Sequence, residues 1–296
     1  MTSFCAVAYF LCGLDTFTAI NHAMTTIGTG GFGVFNGTVN EYGNNYLEWC
    51  MALFMLIASG RFAMYVVAFR KGAHVIFRNT EFRTYLTIIF VASLVIAADL
   101  IVEMNTSPLT AIRSAFFHAT SLGSTTGFVA HDFDAYPPIS KIFMTLLMFL
   151  GGCAGSTAGG LKVARIILLF KFVAQIVRQK LHPNLISQVK LSGQPIDEDI
   201  VHGAAKYFFA IVIMDILFAA VMMFDGIDFV HAISVSVSTM ASVGPGFGLA
   251  GATSTYSLLP SLSKLFACMF MFLSRLEVFT VLVLFSPSFW QKSKNW

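Results

Sequence analysis

Apolar residues gather in long blocks along this chain. The blocks at roughly 46–69, 85–104, 139–177, 200–224 and 262–285 carry few charges. A helix needs about 20 predominantly apolar residues to cross the hydrocarbon of a bilayer, so these blocks predict membrane-spanning helices. The third is too long for one simple span, and Gly-Gly-Cys-Ala-Gly-Ser-Thr-Ala-Gly-Gly at 151–160 interrupts it. Shorter, half-apolar stretches at 16–26, 108–120 and 228–239 lie between the blocks. They are too short to cross and suit re-entrant helices. Residues 1–13 are apolar enough for a signal-peptide core but lack a basic n-region and an A-x-A site. They read as the tail end of a membrane helix whose beginning is absent.

The loops are asymmetric in charge. One set holds Arg70, Lys71, Arg78 and Arg83, then Lys162, Arg165, Lys171, Arg178, Lys180 and Lys190, and finally Lys292 and Lys294. The other holds Glu41 and Glu48, then Asp132 and Asp134, and no charge between Gly246 and Ser263. Basic loops stay cytoplasmic, so the short helices dip in from outside. One unit then recurs: a span, a re-entrant helix, a Gly/Thr-rich turn and a second span. It is complete at 85–177 and 200–285, lacks most of its first helix at 1–69, and leaves 286–296 as a cytoplasmic tail. Such repetition is a strong fold signal and predicts an all-α integral membrane fold.

Composition agrees. Of 296 residues, 56% are hydrophobic and only 11% charged, against roughly 25% charged in soluble domains. A net charge of +3 and the lack of a basic, aromatic-studded patch argue against nucleic acid. Cys5, Cys12, Cys50, Cys153 and Cys268 lie in apolar stretches without a C-x-x-C pair. They predict reduced, buried thiols rather than a disulfide framework or metal knuckle. Neither H-E-x-x-H nor G-x-S-x-G occurs, and the histidines are dispersed. That disfavours a membrane-embedded enzyme.

The candidate chemistry sits in three turns that follow the re-entrant helices. These are Thr25-Thr26-Ile27-Gly28-Thr29-Gly30-Gly31-Phe32, Ser121-Leu122-Gly123-Ser124-Thr125-Thr126-Gly127-Phe128, and Thr239-Met240-Ala241-Ser242-Val243-Gly244-Pro245-Gly246-Phe247. Irregular backbone at membrane depth survives only where protein or a watery cavity surrounds it. Backbone carbonyls there can replace the water shell of a monovalent cation. Gly30, Gly127 and Gly244 are the expected positions where free φ points carbonyls inward. No ring of Asp or Glu sits in the turns, which disfavours divalent ions.

These turns resemble the selectivity-filter turns of the Trk/Ktr/HKT superfamily of potassium and sodium transporters, specifically its bacterial Trk-type uptake subunit. The runs Phe149–Val163 and Ser274-Arg275-Leu276-Glu277-Val278-Phe279-Thr280 are similar to signatures of that family. The resemblance spans essentially the whole chain. It implies membrane helix–pore helix–membrane helix repeats around a pseudo-fourfold pore, with three of four repeats present. It implies potassium as the transported substrate, held at Thr26, Ile27, Gly28, Thr29 and Gly30, at Gly123, Ser124, Thr125, Thr126 and Gly127, and at Ala241, Ser242, Val243 and Gly244. It implies a gate at Gly151, Gly152, Gly155, Ser156, Thr157, Gly159 and Gly160, with Arg275 as a pore-facing barrier. It implies no cofactor bound by the chain, a homodimer in membrane lipid, and a cytoplasmic ring of nucleotide-binding regulatory domains docked on the basic face.

The residues themselves leave alternatives open, among them a non-conducting fragment or split subunit that needs the first repeat from another chain, and a sodium-permeable or sodium-coupled relative. Small residues at 151, 155 and 159 also suit close helix packing, whereas the missing Gly-Lys-Ser/Thr disfavours a phosphate loop. Arg275 can instead pair with Glu277, since an intramembrane charge needs a cavity or a partner. Arg61, Asp99 and Asp215 are further intramembrane charges without an assigned role. His22, His118 and His231 are expected to pack behind the turns.

Overall fold

A computed structural model of the chain describes residues 1–34, 37–182, 188–252, 254–276 and 278–290. Among the described residues two helices are long and apolar enough to cross a bilayer unaided: α6, Thr80–Met104, and α10, Glu198–Phe224, each with mean hydropathy 2.4. In order before α6 come α1 Thr2–Leu11, α2 Thr16–Ile27, α3 Asn45–Ala58, α4 Phe62–Lys71 and α5 His74–Arg78. Between α6 and α10 lie α7 Pro108–Gly123, α8 Pro138–Leu150 and α9 Val163–Leu181. After α10 follow α11 Phe229–Ala241, α12 Ser261–Arg275, α13 Val278–Leu282 and α14 Pro287–Trp290. A short ribbon, β1 Lys190–Leu191 and β2 Gln194–Pro195, joins α9 to α10.

The three short helices are α2, α7 and α11. At about 1.5 Å per residue, the 12 residues of α2 span roughly 18 Å, well under a hydrocarbon thickness of about 30 Å. Local chemistry starts each one. Asp15 caps α2 by accepting from Thr18 N at 3.1 Å, Pro108 opens α7, and Asp228 accepts from Val230 N at 3.1 Å. Some of their buried hydroxyls are satisfied within the helix. Thr26 donates to the His22 carbonyl at 2.6 Å and Thr239 to the Val235 carbonyl at 2.6 Å, a back-bond that lets a polar side chain sit in an apolar setting.

Buried side chains fall into clusters that cross the expected repeat bounds, since Phe117 joins the first and Val237 and Phe247 the second. One holds Tyr9, Leu47 and Met51 around α1–α3, another Tyr85, Ile96 and Phe133 around α6–α8, a third Phe218, Met222 and Phe270 around α10–α12. The outward surface is apolar: Phe170, Phe224 and Val102 are exposed. Water would penalise such a surface and lipid does not.

Two expected spans are broken. Residues 46–69 form α3 and α4, which meet at 93°. The interruption is Ser59-Gly60-Arg61, and the 151–162 segment bonds to the backbone at each end of it. Cys153 N donates to the Ser59 carbonyl at 2.9 Å, and Phe62 N to the Gly155 carbonyl at 3.3 Å. Arg61 therefore stands at the bend, exposed, not within a straight span. The block at 262–285 stops being one helix at Arg275; Glu277 lies outside the described residues, as does 291–296. The thiols also differ from expectation. Cys5 and Cys153 are buried, Cys12 and Cys50 half-buried, and Cys268 exposed on α12, where a lipid-facing thiol needs no protein cover.

Candidate functional site

Each short helix ends in a turn of the same construction. The N–H groups of Gly30, Thr126 and Val243 return to the carbonyls of Thr25, Ser121 and Ser238 at 2.7, 3.0 and 2.9 Å. The hydroxyls of Thr25, Ser121 and Ser238 then donate forward to the carbonyls of Phe32, Phe128 and Pro245 at 3.0, 2.6 and 2.7 Å. One side chain thus ties the helix end to the chain leaving it, three times over.

Backbone angles repeat in the same register. Thr29, Thr125 and Ser242 have φ of 49, 54 and 57°, and Gly31, Gly127 and Gly244 have 66, 81 and 106°. An ordinary residue separates the two left-handed ones in each turn, an alternation that lets successive carbonyls face one side. A β-branched residue in the left-handed region is strained, at a cost on the order of 1–3 kcal/mol. Thr125 Oγ1 has an offsetting partner, accepting from Gly159 N at 2.6 Å.

This register corrects the expected glycines. The first turn places Gly31, not Gly30, in the position of Gly127 and Gly244. The turns also touch in sequence. A Cβ on Gly31 would collide with the Thr126 carbonyl, and one on Gly127 with the Val243 carbonyl. A Cβ on Gly244 would meet nothing within 4 Å, so the arc of three turns is open beyond the third. Gly123 faces backwards onto Ile89, and the Thr26 hydroxyl is held by Tyr9 at 2.9 Å. Ser124 bonds to Thr126 Oγ1 at 2.7 Å.

Gly151, Gly155 and Gly160 take φ of 67, 76 and 71°, as does Lys162 at 70°, and the 151–162 segment passes against all three turns. Thr157 Oγ1 donates to the Ile27 carbonyl at 2.9 Å. Gly159 N reaches Thr125, and a Cβ on Gly159 would strike the Ala241 carbonyl. Gly152 packs on Ser59 and Ala158, while the Ser156 hydroxyl turns back to the Cys153 carbonyl at 2.7 Å. From α12, Arg275 Nη1 approaches the Thr157 carbonyl at 3.4 Å. Glu81, which the sequence did not mark, accepts from Ala154 N at 2.6 Å. A carboxylate at the start of a span gives no sign of a partner so distant along the chain.

Two cavities flank the turns. The outer one, about 450 Å³, is lined by Gly31, Gly127, Gly244 and Glu41. The inner one, about 410 Å³, is lined by Thr157, Gly159, Lys162, Ser242 and Arg275. The histidines of the short helices are occupied with packing. His22 Nε2 lies 3.0 Å from the Tyr42 hydroxyl, and His118 Nδ1 donates to the Ser114 carbonyl at 3.0 Å. His231 packs under Gly248. Among the described residues no His/Cys/Asp/Glu group could hold a metal.

Long spans, re-entrant helices and a repeated irregular turn define a multi-pass α-helical membrane protein of the pore-helix repeat class. The chain belongs to the TrkH family of cation transport proteins, whose family model matches residues 3–292; it is a transport family, not an enzyme family, and the chain is a multi-pass inner-membrane protein. It is 34% identical over 296 residues to the Trk system potassium uptake protein TrkH of Halomonas elongata and 31% identical over 296 residues to that of Escherichia coli K12. Each alignment covers 99% of this chain and 60% of the relative. The crystal structure of the potassium transporter TrkH from Vibrio parahaemolyticus superposes with a TM-score of 0.90 at 29% identity, covering 98% of this chain and 62% of that one. The chain thus spans about three fifths of the length of the curated relatives it matches.

Proposed function

We propose that this chain forms the ion-conducting part of a Trk-type potassium uptake subunit. Potassium, the substrate, sheds its water onto backbone carbonyls of the three turns, Thr29–Gly31, Thr125–Gly127 and Ser242–Gly244. The observation that carries the reading is the shared register of left-handed residues in three turns that touch one another between two cavities. The short helices add to it, because the carboxyl end of a helix carries partial negative charge, and α2, α7 and α11 all end at the turns. The 151–162 segment acts as the gate, obstructing the path between the turns and the inner cavity, and Arg275 adds a positive barrier there. The names of the relatives support potassium as the ion. A homodimer in the membrane, with a nucleotide-binding regulatory ring on the basic face around Arg178 and Lys180, completes the proposal.

The test is rubidium uptake in a potassium-requiring host, with Gly127→Val as the comparison. Uptake that survives that change intact overturns the assignment of the turns. A second reading is favoured by the open side of the arc at Gly244: a fourth wall from residues outside this sequence is required for conduction. Uptake only on co-expression with such a unit supports it; uptake by this chain alone removes it.

A further inference from the structure

The spans α6 and α10 each bury an aspartate, and the two have different surroundings. Asp99 Oδ2 accepts both the backbone N–H and the hydroxyl of Ser140, at 2.9 and 2.6 Å. Ser140 lies in the first turn of α8, so the charge of Asp99 meets the positive end of a helix. Asp215 has no such partner. The residue is 8% exposed, and Oδ1 accepts from the Ser236 hydroxyl at 3.1 Å. That hydroxyl also lies 2.9 Å from the carbonyl of Asp215 itself. Oδ2 is buried and has no hydrogen-bond partner.

Asp215 lines the inner cavity. The charged and titratable groups that share it are Lys162 of the 151–162 segment, Arg165 of α9, Tyr207 of α10 and Arg275 of α12, while α11 contributes Val237, Met240 and Ala241. The cations are engaged elsewhere. Lys162 donates to the Ala158 carbonyl, Arg275 to the Thr157 carbonyl, and Arg165 lies 3.9 Å from the centre of the Tyr207 ring. Among the described residues the ion pair found is that of Glu48 with Arg113, and His131 Nε2 stands 4.0 Å from the same carboxylate.

An ionised Asp215 would keep a bare carboxylate oxygen inside the membrane, where an unpaired charge is expensive. An alkali ion would need several oxygens around it, and Ser236 is the one hydrogen-bond partner found for the side chain. A proton needs only the orphaned oxygen. We infer that Asp215 is a proton-binding site opening on the inner cavity, with Oδ2 as the atom that takes the proton. When the proton is bound, the cavity loses the negative charge of Asp215 while Lys162 and Arg275 still line it. Acidification from that side then makes the cavity more repellent to cations.

Infrared difference spectra of the intact chain in lipid, recorded across pH, test the site without recourse to transport. The expected result is a carboxylic-acid carbonyl band that weakens as pH rises, disappears in Asp215→Asn and persists in Asp99→Asn. Asp215→Glu, which keeps the acid, shifts the band and serves if the Asn variant does not fold. No such band in the wild-type chain, or one unaffected by either change at 215, overturns the inference.

Discussion

The hydroxyl of Thr157 donates to the backbone carbonyl of Ile27 at 2.9 Å, joining the 151–162 segment to the end of α2 across 130 residues of sequence. A neutral hydrogen bond contributes about 1 kcal/mol net. If the segment must leave the turns for ions to pass, losing this bond shifts the closed–open balance by roughly fivefold. Thr157→Val keeps the shape and removes the donor. Basal rubidium flux through the complete assembly is expected to rise several-fold; flux equal to wild type would show that this contact does not hold the gate.

Adjacent glycines in the first turn give a sharper test, because they differ in backbone and not in composition. Gly31 has φ of 66° and no room for a Cβ beside the Thr126 carbonyl. Gly30 has ordinary φ, and a Cβ there would sit 3.4 Å from the Phe32 ring. A left-handed Ala costs about 1–2 kcal/mol before any collision is counted. Gly31→Ala should therefore lower rubidium uptake by about tenfold or more, while Gly30→Ala stays near wild type. The reverse order would return the site to Gly30.

Much of this architecture is legible in the sequence, for stated reasons. The short helices end within a few residues of their expected ends, because length, polarity and the following Gly/Thr run all bear on the same boundary. The register of the first turn is not legible. Gly30 and Gly31 are identical neighbours, and only the Thr126 carbonyl, far along the chain, distinguishes them. The left-handed Thr29 and Thr125 run against local preference, so sequence reasoning assigns that role to glycine. The bend at Ser59–Arg61 is hidden for a similar reason. Hydropathy stays high through it, and the break depends on hydrogen bonds from Cys153 and Phe62.

Arg275 offers a test of charge at the proposed gate. Its guanidinium reaches the Thr157 carbonyl at 3.4 Å, a long contact, so its main effect is electrostatic. Arg275→Ala removes a cation from the inner cavity and should raise basal flux. Arg275→Lys keeps the charge without the planar donor pair and should hold flux near wild type. Unchanged or lower flux in the alanine variant at equal expression removes the barrier role.

Glu48 and Arg113 concern stability, not flux. Arg113 Nε lies 2.9 Å from Glu48 Oε2, with side chains only 11% and 1% exposed, and the pair joins α3 to α7. His131 Nε2 stands 4.0 Å from the other carboxylate oxygen. Breaking a buried pair by removing one partner costs about 3–5 kcal/mol, because the other charge is left uncompensated. Replacing both with apolar residues of similar size is often near neutral. Glu48→Leu alone should lower the thermal midpoint of the detergent-solubilised chain well below wild type. Adding Arg113→Met should recover most of the loss, giving a large coupling energy in the double-mutant cycle. Additive losses would mean that the two charges are solvated separately and do not hold α3 to α7.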